Sequence, residues 1–255
     1  MATRREISIP RLRAREIISG LKIQNPSEID IEDIAWVHGI LVREDCLEGA
    51  DGRLVLLAER GIITVKATIP EEGRKRFIIA HELGHFEIHK HLSLCTDTDM
   101  TYWSNIRSEE TDANDFAAEL LMPDTFFAPR CDDSDPSLDL IENLANEFQV
   151  TLTAAALRFI EFCPERCALI ISEDKKIKWF KRTADFGHWF ERGTKLDPDS
   201  YAYDFFRGGD IPSKIQTVPA SAWVSDRRLG NSQIKEHSKA LPRYNAVLTL
   251  LWLDE

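Results

Sequence analysis

Apolar positions recur at helical spacing through the first part of this chain. Arg11 to Leu21 is a basic stretch with its apolar residues on one side, and Ile31, Ile34, Ala35 and His38 follow within Glu28 to His38, so a helix is expected over each. Gly39 stands where the second helix should end, a place that favours glycine. Three strand-like runs come next, Ile40 to Arg43, Leu54 to Ala58 and Ile62 to Ile69, with Asp51-Gly52 and Gly61 as turn signals between them. The helical period returns from about Arg76 to Lys90. It returns again through Ala113, Phe116, Ala117, Leu120 and Leu121, until Pro123 stops it. Two further helices are predicted at Leu138 to Phe148 and Thr153 to Phe162, with Thr151 or Thr153 as cap.

Beyond about residue 164 the period shortens. Ala168 to Ser172, Ile177 to Lys181, Lys214 to Val218 and Ala246 to Leu253 read as strands, and Glu173-Asp174-Lys175-Lys176 supplies a hairpin turn. The expected fold class is therefore α+β. Residues 1–130 form a domain of helices with a small sheet, 131–164 a helical pair, and 165–255 a smaller, strand-rich module. No repeat, low-complexity tract or Pro/Gly/Ser-rich linker interrupts the chain.

Composition narrows the function classes. With 255 residues the chain buries roughly 70–75% of its unfolded surface and needs no disulfide framework. Lys and Arg total 32 against 43 Asp and Glu, a net charge of -11, which argues against a protein whose main work is coating nucleic acid or anionic lipid and leaves room for a local basic patch. The five cysteines, Cys46, Cys95, Cys131, Cys163 and Cys167, are scattered, and no apolar signal segment precedes them, so reduced thiols in the cytoplasm are expected. The longest apolar stretch, Ala246 to Leu253, falls far short of the ~20 residues that span a membrane. Cys163 and Cys167 stand four apart but lack the second pair that would complete a structural zinc site.

The densest chemistry lies in Phe77-Ile78-Ile79-Ala80-His81-Glu82-Leu83-Gly84-His85. Residues four apart share one helix face, so His81 and His85 can reach a single ion. A catalytic zinc site takes three protein ligands and keeps one position open. Glu82, between the ligands, is placed to take a proton from the attacking water rather than to bind metal. Four of the seven histidines fall within residues 81–91, which speaks against coincidence.

Several residues could complete the ligand set. His89 and His91 are near in sequence, but a third histidine ten positions after the first needs a glycine at the eighth, where this chain has Ile88. On a continuing helix His91 would lie about 15 Å along the axis from His81. A carboxylate from a second helix, within Ser108 to Pro123, is the better candidate. Glu109 and Glu110 flank its apolar stripe on opposite sides, Asp112 and Asp115 point further away, and helical phase does not choose between the two glutamates.

Arg76-Phe77-Ile78-Ile79-Ala80-His81-Glu82-Leu83-Gly84-His85, followed by Glu110-x-x-Ala113-Asn114-x-x-Ala117-Ala118-x-Leu120-Leu121-Met122-Pro123, resembles the ImmA/IrrE metallopeptidase family over about Ile31 to Phe162. The resemblance implies a zincin-like peptidase core with Glu110 as the third metal ligand beside His81 and His85, and Glu82 as the catalytic proton carrier. It implies Zn²⁺ as the cofactor, and Mn²⁺ or Fe²⁺ also suit these ligand types. Better-understood members cleave a helix-turn-helix repressor and so release stress-response or mobile-element genes, which makes such a repressor the implied substrate. A donor for the reaction's oxyanion is also expected, with Tyr102, His89 and His91 as candidates.

Two other segments carry weaker signals. Leu140, Leu144, Ala145, Phe148, Val150, Ala154, Leu157 and Phe159 have the pattern of a helix-turn-helix. The second helix, however, offers only Thr153, Arg158 and Glu161 outside its apolar positions, too little for base readout. Direct nucleic-acid binding is therefore not expected. Arg4, Arg5, Arg11, Arg13 and Arg15 read as a solvated helix face, and the aromatic residues after 164 as the core of a regulatory or docking module. The alternative to a peptidase is a non-catalytic, metal-containing module that binds a repressor or DNA. A glutamate between the two histidines favours the enzyme.

Overall fold

Helix α1 (Ile9–Gly20) opens with Pro10 in its first turn, where the missing N–H has no helical partner to lose, and buries Ala14, Ile17 and Ile18. The computed structural model describes residues 7–57, 60–89, 93–95, 109–132, 135–224 and 232–253. Helix α2 (Ile31–Val37) starts three residues later than the periodicity suggests. Asp30 takes the cap position, its carboxylate accepting from the N–H groups of Glu32 and Asp33 at 3.0 and 3.1 Å, while Pro26–Glu28 form a separate 3₁₀ turn.

A four-stranded sheet follows, built from β1 (Ile40–Asp45), β2 (Gly52–Leu57), β3 (Arg60–Lys66) and β4 (Ser93–Cys95), in the order β1-β3-β2-β4. β1 runs parallel to β3, and β2 is antiparallel to both β3 and β4. Gly52 and Gly61, read above as turn residues, instead lie inside β2 and β3. Helix α3 (Glu72–Gly84) crosses this sheet and ends in a π turn over His85–His89, and α4 (Glu109–Leu121) packs against it. Ile63, Val65, Ile78, Leu83, Phe116 and Leu120 form the apolar layer between them. Pro123 ends α4, and the single turn α5 (Asp124–Phe127) follows.

Two compact units divide the chain: Met1–Phe127 with Ala145–Thr151, and Ala128–Leu144 with Leu152–Glu255. Helices α6 (Leu138–Glu147) and α7 (Leu152–Phe162) are the expected pair, with Thr151 at the residue before α7. The second unit contains β5 (Cys167–Glu173), β6 (Lys176–Arg182), the short helix α8 (Tyr201–Phe206), β7 (Gln216–Pro219), β8 (Gln233–Leu241) and β9 (Ala246–Trp252). Its five strands form an antiparallel sheet in the order β6-β5-β9-β8-β7. Asp174 and Lys175 both have positive φ, the two-residue turn geometry that matches strand twist, and so close the β5–β6 hairpin as predicted. β9 is buried along its whole length. The protein is thus α+β with two small sheets, and among the described residues no helix is long and apolar enough to cross a membrane.

Three basic residues are not the solvated face expected of α1. Arg11 pairs with Asp115 at 3.1 Å, Arg13 with Glu87 at 2.8 Å, and Arg15 with the fully buried Glu119 at 2.8 Å and with Asp124. Local pattern could not reveal this, because the carboxylates lie far along the chain. Arg4 and Arg5 fall outside the described residues.

The sequence pattern also misses β8, since its centre, Glu236-His237-Ser238, is polar yet buried. Each group has a partner. Glu236 Oε1 accepts from the Ala202 N–H of α8 at 2.9 Å and from the Ser238 hydroxyl at 2.8 Å, while Oε2 accepts from Trp223 Nε1–H at 2.8 Å. Because Ser238 donates to Glu236, Thr249 Oγ1, 2.8 Å away, donates to Ser238 in turn. His237 Nδ1 accepts from the Leu138 N–H at 3.0 Å, and burial holds its pKa below the usual value, as a neutral acceptor requires. Replacing Glu236 by Gln turns an acceptor oxygen into a donor facing other donors. We expect a loss of about 1–3 kcal/mol in unfolding free energy, read from urea denaturation at constant pH. An unchanged midpoint would show that these donors find other partners.

Candidate metal centre

The apolar run before His81 holds the end of α3 inside the first unit, so Ile78, Ile79, Ala80, His81, Glu82, Leu83 and Gly84 are all buried. His85 follows one turn after His81, at the start of the π turn. The two Nε2 atoms are 3.1 Å apart, with the rings edge-on. From the first turn of α4, Glu110 reaches both imidazoles. Its Oε2 is 3.1 Å from His81 Nε2 and its Oε1 3.3 Å from His85 Nε2. Glu109, on the other side of the stripe, is exposed. Helical phase alone left these two glutamates equivalent; the approach of α3 to α4 separates them.

That approach depends on small residues. A Cβ on Gly84 would lie 3.2 Å from the Ala113 Cα and 3.1 Å from Phe116 Cδ1, so glycine there lets the two helix backbones close up. Ala113 and Ala117 complete the seam.

The donor triangle has the size of a metal site. Bonds of about 2.0–2.1 Å in tetrahedral geometry put neighbouring donors about 3.3–3.4 Å apart; here the two Nε2 atoms are 3.1 Å apart, and each has its own Glu110 oxygen at 3.1 or 3.3 Å. His81, His85 and Glu110 are also the group of titratable side chains that could hold an ion among the described residues. Proton placement agrees. Asn114 Oδ1 lies 3.0 Å from His81 Nδ1 and accepts its proton, which leaves the Nε2 lone pair facing the triangle. His85 Nδ1 lies 3.2 Å from His89 Nδ1, and His89 Nε2 stands 3.7 Å from Asp112. Burial, then the neighbouring His85, hold the His89 pKa below its ordinary value, consistent with a neutral ring that accepts from His85.

Glu82 is wholly buried beside these groups. Gly52, at the start of β2, makes room for it: a Cβ there would come within 2.8 Å of Glu82 Oε1 and 2.5 Å of Ile78 Cγ2. Of the candidate oxyanion donors, Tyr102 and His91 lie outside the described residues, and His89 sits against His85. Asp112, expected to point away, instead faces His89 because the π turn carries that residue round toward α4. The role of Asn114 was not apparent from sequence, although its spacing of four from Glu110 puts both on one helix face.

Residues 35–159, about half of the chain, match the peptidase M78 family model, described as the IrrE N-terminal-like domain. A solved structure described as a Mycobacterium tuberculosis transcriptional regulator has a similar fold, with 17% identity, a TM-score of 0.59, and an alignment covering 96% of this chain and 76% of that one. At that identity the likeness concerns the fold alone. No curated protein gives a match.

Removing the partner of His81 should loosen the metal without touching a ligand. Asn114→Ala is expected to weaken affinity about 10–100-fold in competition with a chromophoric chelator, whereas Asn114→Asp, which keeps an acceptor, should stay near wild type. Equal affinity in all three proteins would show that His81 needs no such partner.

Proposed function

We propose that this chain, which through residues 35–159 belongs to the IrrE N-terminal-like family of metallopeptidases, is a zinc-dependent endopeptidase acting in the cytoplasm on a helix-turn-helix repressor. The observation that carries the reading is the convergence of His81 Nε2, His85 Nε2 and a Glu110 carboxylate within a few ångströms, beside a buried Glu82 that is not part of the triangle. Two neutral imidazoles and one carboxylate suit Zn²⁺, and Mn²⁺ or Fe²⁺ can compete according to supply. A cation held there supplies Lewis acidity, polarising the scissile carbonyl and acidifying the attacking water.

The protein's own groups carry the proton. Glu82 accepts it from the attacking water and delivers it to the leaving amine nitrogen, and its burial excludes bulk water that would dilute this transfer. Gly52 lets Glu82 lie against β2 instead of being pushed from its place. Asn114 and His89 hold the two imidazoles with their Nε2 atoms turned to the triangle.

A purely structural metal module is the other reading. It gives no reason to bury a carboxylate beside the ligands, which is costly in an apolar layer. A DNA-reading role for α7 is disfavoured too, because Arg158 is buried and paired with Glu161 at 2.8 Å. A repressor substrate is supported by the family and is compatible with a fold neighbour described as a transcriptional regulator.

The test is incubation of the zinc-loaded protein with any helix-turn-helix repressor encoded beside its gene, followed by mass spectrometry of the products. Cleavage should stop with chelator, and Glu82→Gln should lose about 10²–10⁴-fold in rate while keeping its metal. An active Glu82→Gln protein, or one that has lost its metal, would overturn the assignment. Glu110→Ala should lower zinc occupancy and Glu109→Ala should not; the reverse result would exchange them. Gly52→Ala should keep the metal yet lose up to about 10²-fold in rate, since the added methyl meets Glu82 and Ile78 and none of the three ligands.

A further inference from the structure

Cys163 lies just past the end of α7 and Cys167 opens β5, with only Pro164-Glu165-Arg166 between them. Their Sγ atoms are 3.5 Å apart, thiol against thiol. Cys167 is rigidly placed. It is fully buried, its N–H donates to Thr183 Oγ1 at 3.1 Å, and its carbonyl accepts from the Thr183 N–H at 2.9 Å. Cys163 is half-buried, reachable from solvent, and follows a helix end at which its N–H donates to the Phe159 carbonyl at 2.8 Å. A disulfide is about 2.0 Å long, so the sulfurs need to close by only about 1.5 Å, a movement that rotation of the Cys163 side chain can supply.

We propose that Cys163 and Cys167 form an oxidisable dithiol, which hydroperoxides convert into a disulfide joining the end of α7 to the start of β5. In the first step the Cys163 thiolate attacks a peroxide oxygen. An S–O bond forms, the O–O bond breaks, and the other oxygen leaves and takes a proton as alcohol or water, so that Cys163 becomes a sulfenic acid. In the second step the Cys167 sulfur attacks the Cys163 sulfur. The S–S bond forms, the S–O bond breaks, and hydroxide leaves with the Cys167 proton as water. Two thiols and one hydroperoxide give one disulfide, one alcohol or water, and one further water, with two electrons passing from sulfur to oxygen.

The surroundings assign the roles. Contact with Cys167 lowers the pKa of the reachable Cys163, which favours its thiolate, and the same contact, with burial, raises that of Cys167, the resolving partner. Cys131, the third thiol of this unit, is fully buried, and burial pushes it up to about 12, so it stays protonated and does not compete. The dithiol belongs to the second unit, shares no residue with the metal centre and does not rest on the peptidase reading.

Trypsin offers a direct test, because it cuts after Arg166, between the two cysteines. The full zinc-loaded chain is treated with hydrogen peroxide, alkylated with iodoacetamide, digested without reductant and mapped by mass spectrometry. Peptides 159–166 and 167–175 should run as one linked species that separates on reduction. Cys167→Ser should instead yield a Cys163 sulfenic acid trapped by dimedone, and Cys131→Ser should leave the linkage intact. Three results would overturn the proposal: both thiols still alkylated when exposed Cys46 is oxidised, Cys163 linked to a different cysteine, or a second zinc ion that protects both thiols from peroxide and is lost in either serine variant. The wild-type map stands even where a variant folds poorly.

Discussion

Everything at the metal centre depends on how closely α3 and α4 cross. Imidazole and carboxylate side chains have short, fixed reach, and His81, His85 and Glu110 can meet at one point only if the two backbones nearly touch. Gly84 permits this by having no side chain to hold Ala113 and Phe116 away. The crossing also forces polar groups into an apolar layer. Burying such groups without partners would cost several kcal/mol each, so every imidazole there has a second contact, Asn114 for His81 and His89 for His85.

Helix α1 braces both elements that carry the ligands. Arg11 and Arg15 bind α4 through Asp115 and Glu119, and Arg13 binds the π turn through Glu87, which also takes His38 of the neighbouring turn at 2.7 Å. Burial pushes the Glu87 pKa up, but bonds from His38 and Arg13 outweigh it and hold the carboxyl below its ordinary value. Exposed ion pairs are worth little, about 0–1 kcal/mol each. Glu119 is different, since its fully buried carboxylate accepts from Arg15 at 2.8 Å and from the Asp124 N–H at 3.3 Å, and burial makes the charged partner count for more than it would at the surface. Their main effect is positional: they set where α4 and the π turn stand, and hence where the donors meet.

The same rule governs the second unit. Glu236, His237 and Ser238 occupy the middle of a sheet and are tolerated because donors converge on them from α6, α8 and the loop carrying Trp223. The Cys163–Cys167 pair stands at the start of β5, an inner strand of that sheet, where a rigid thiol meets one that solvent can reach. Rigid and reachable groups side by side are what reactive chemistry needs, and in each unit they sit where a helix end meets the sheet or helix on which it packs.

What the sequence determined by itself is the local part. The spacing of His81 and His85, the burial of α3, the stop at Pro123 and the Asp174-Lys175 hairpin all follow from periodicity and turn chemistry within a few residues. The motif around Glu110 and Asn114 was visible too, but only as a resemblance, since helical phase treats Glu109 and Glu110 alike. Gly52 and Gly61 were legible as glycines and misplaced as turns, because what they need is clearance from residues of other elements. The arginines of α1 looked solvated because two of Arg15's partners lie 104 and 109 residues away. β8 looked like loop because its buried polar centre breaks the alternation that marks a strand. Only the tertiary structure decided these, for one reason: each depends on groups that folding brings together across long stretches of chain, and periodicity records neighbours along the chain alone.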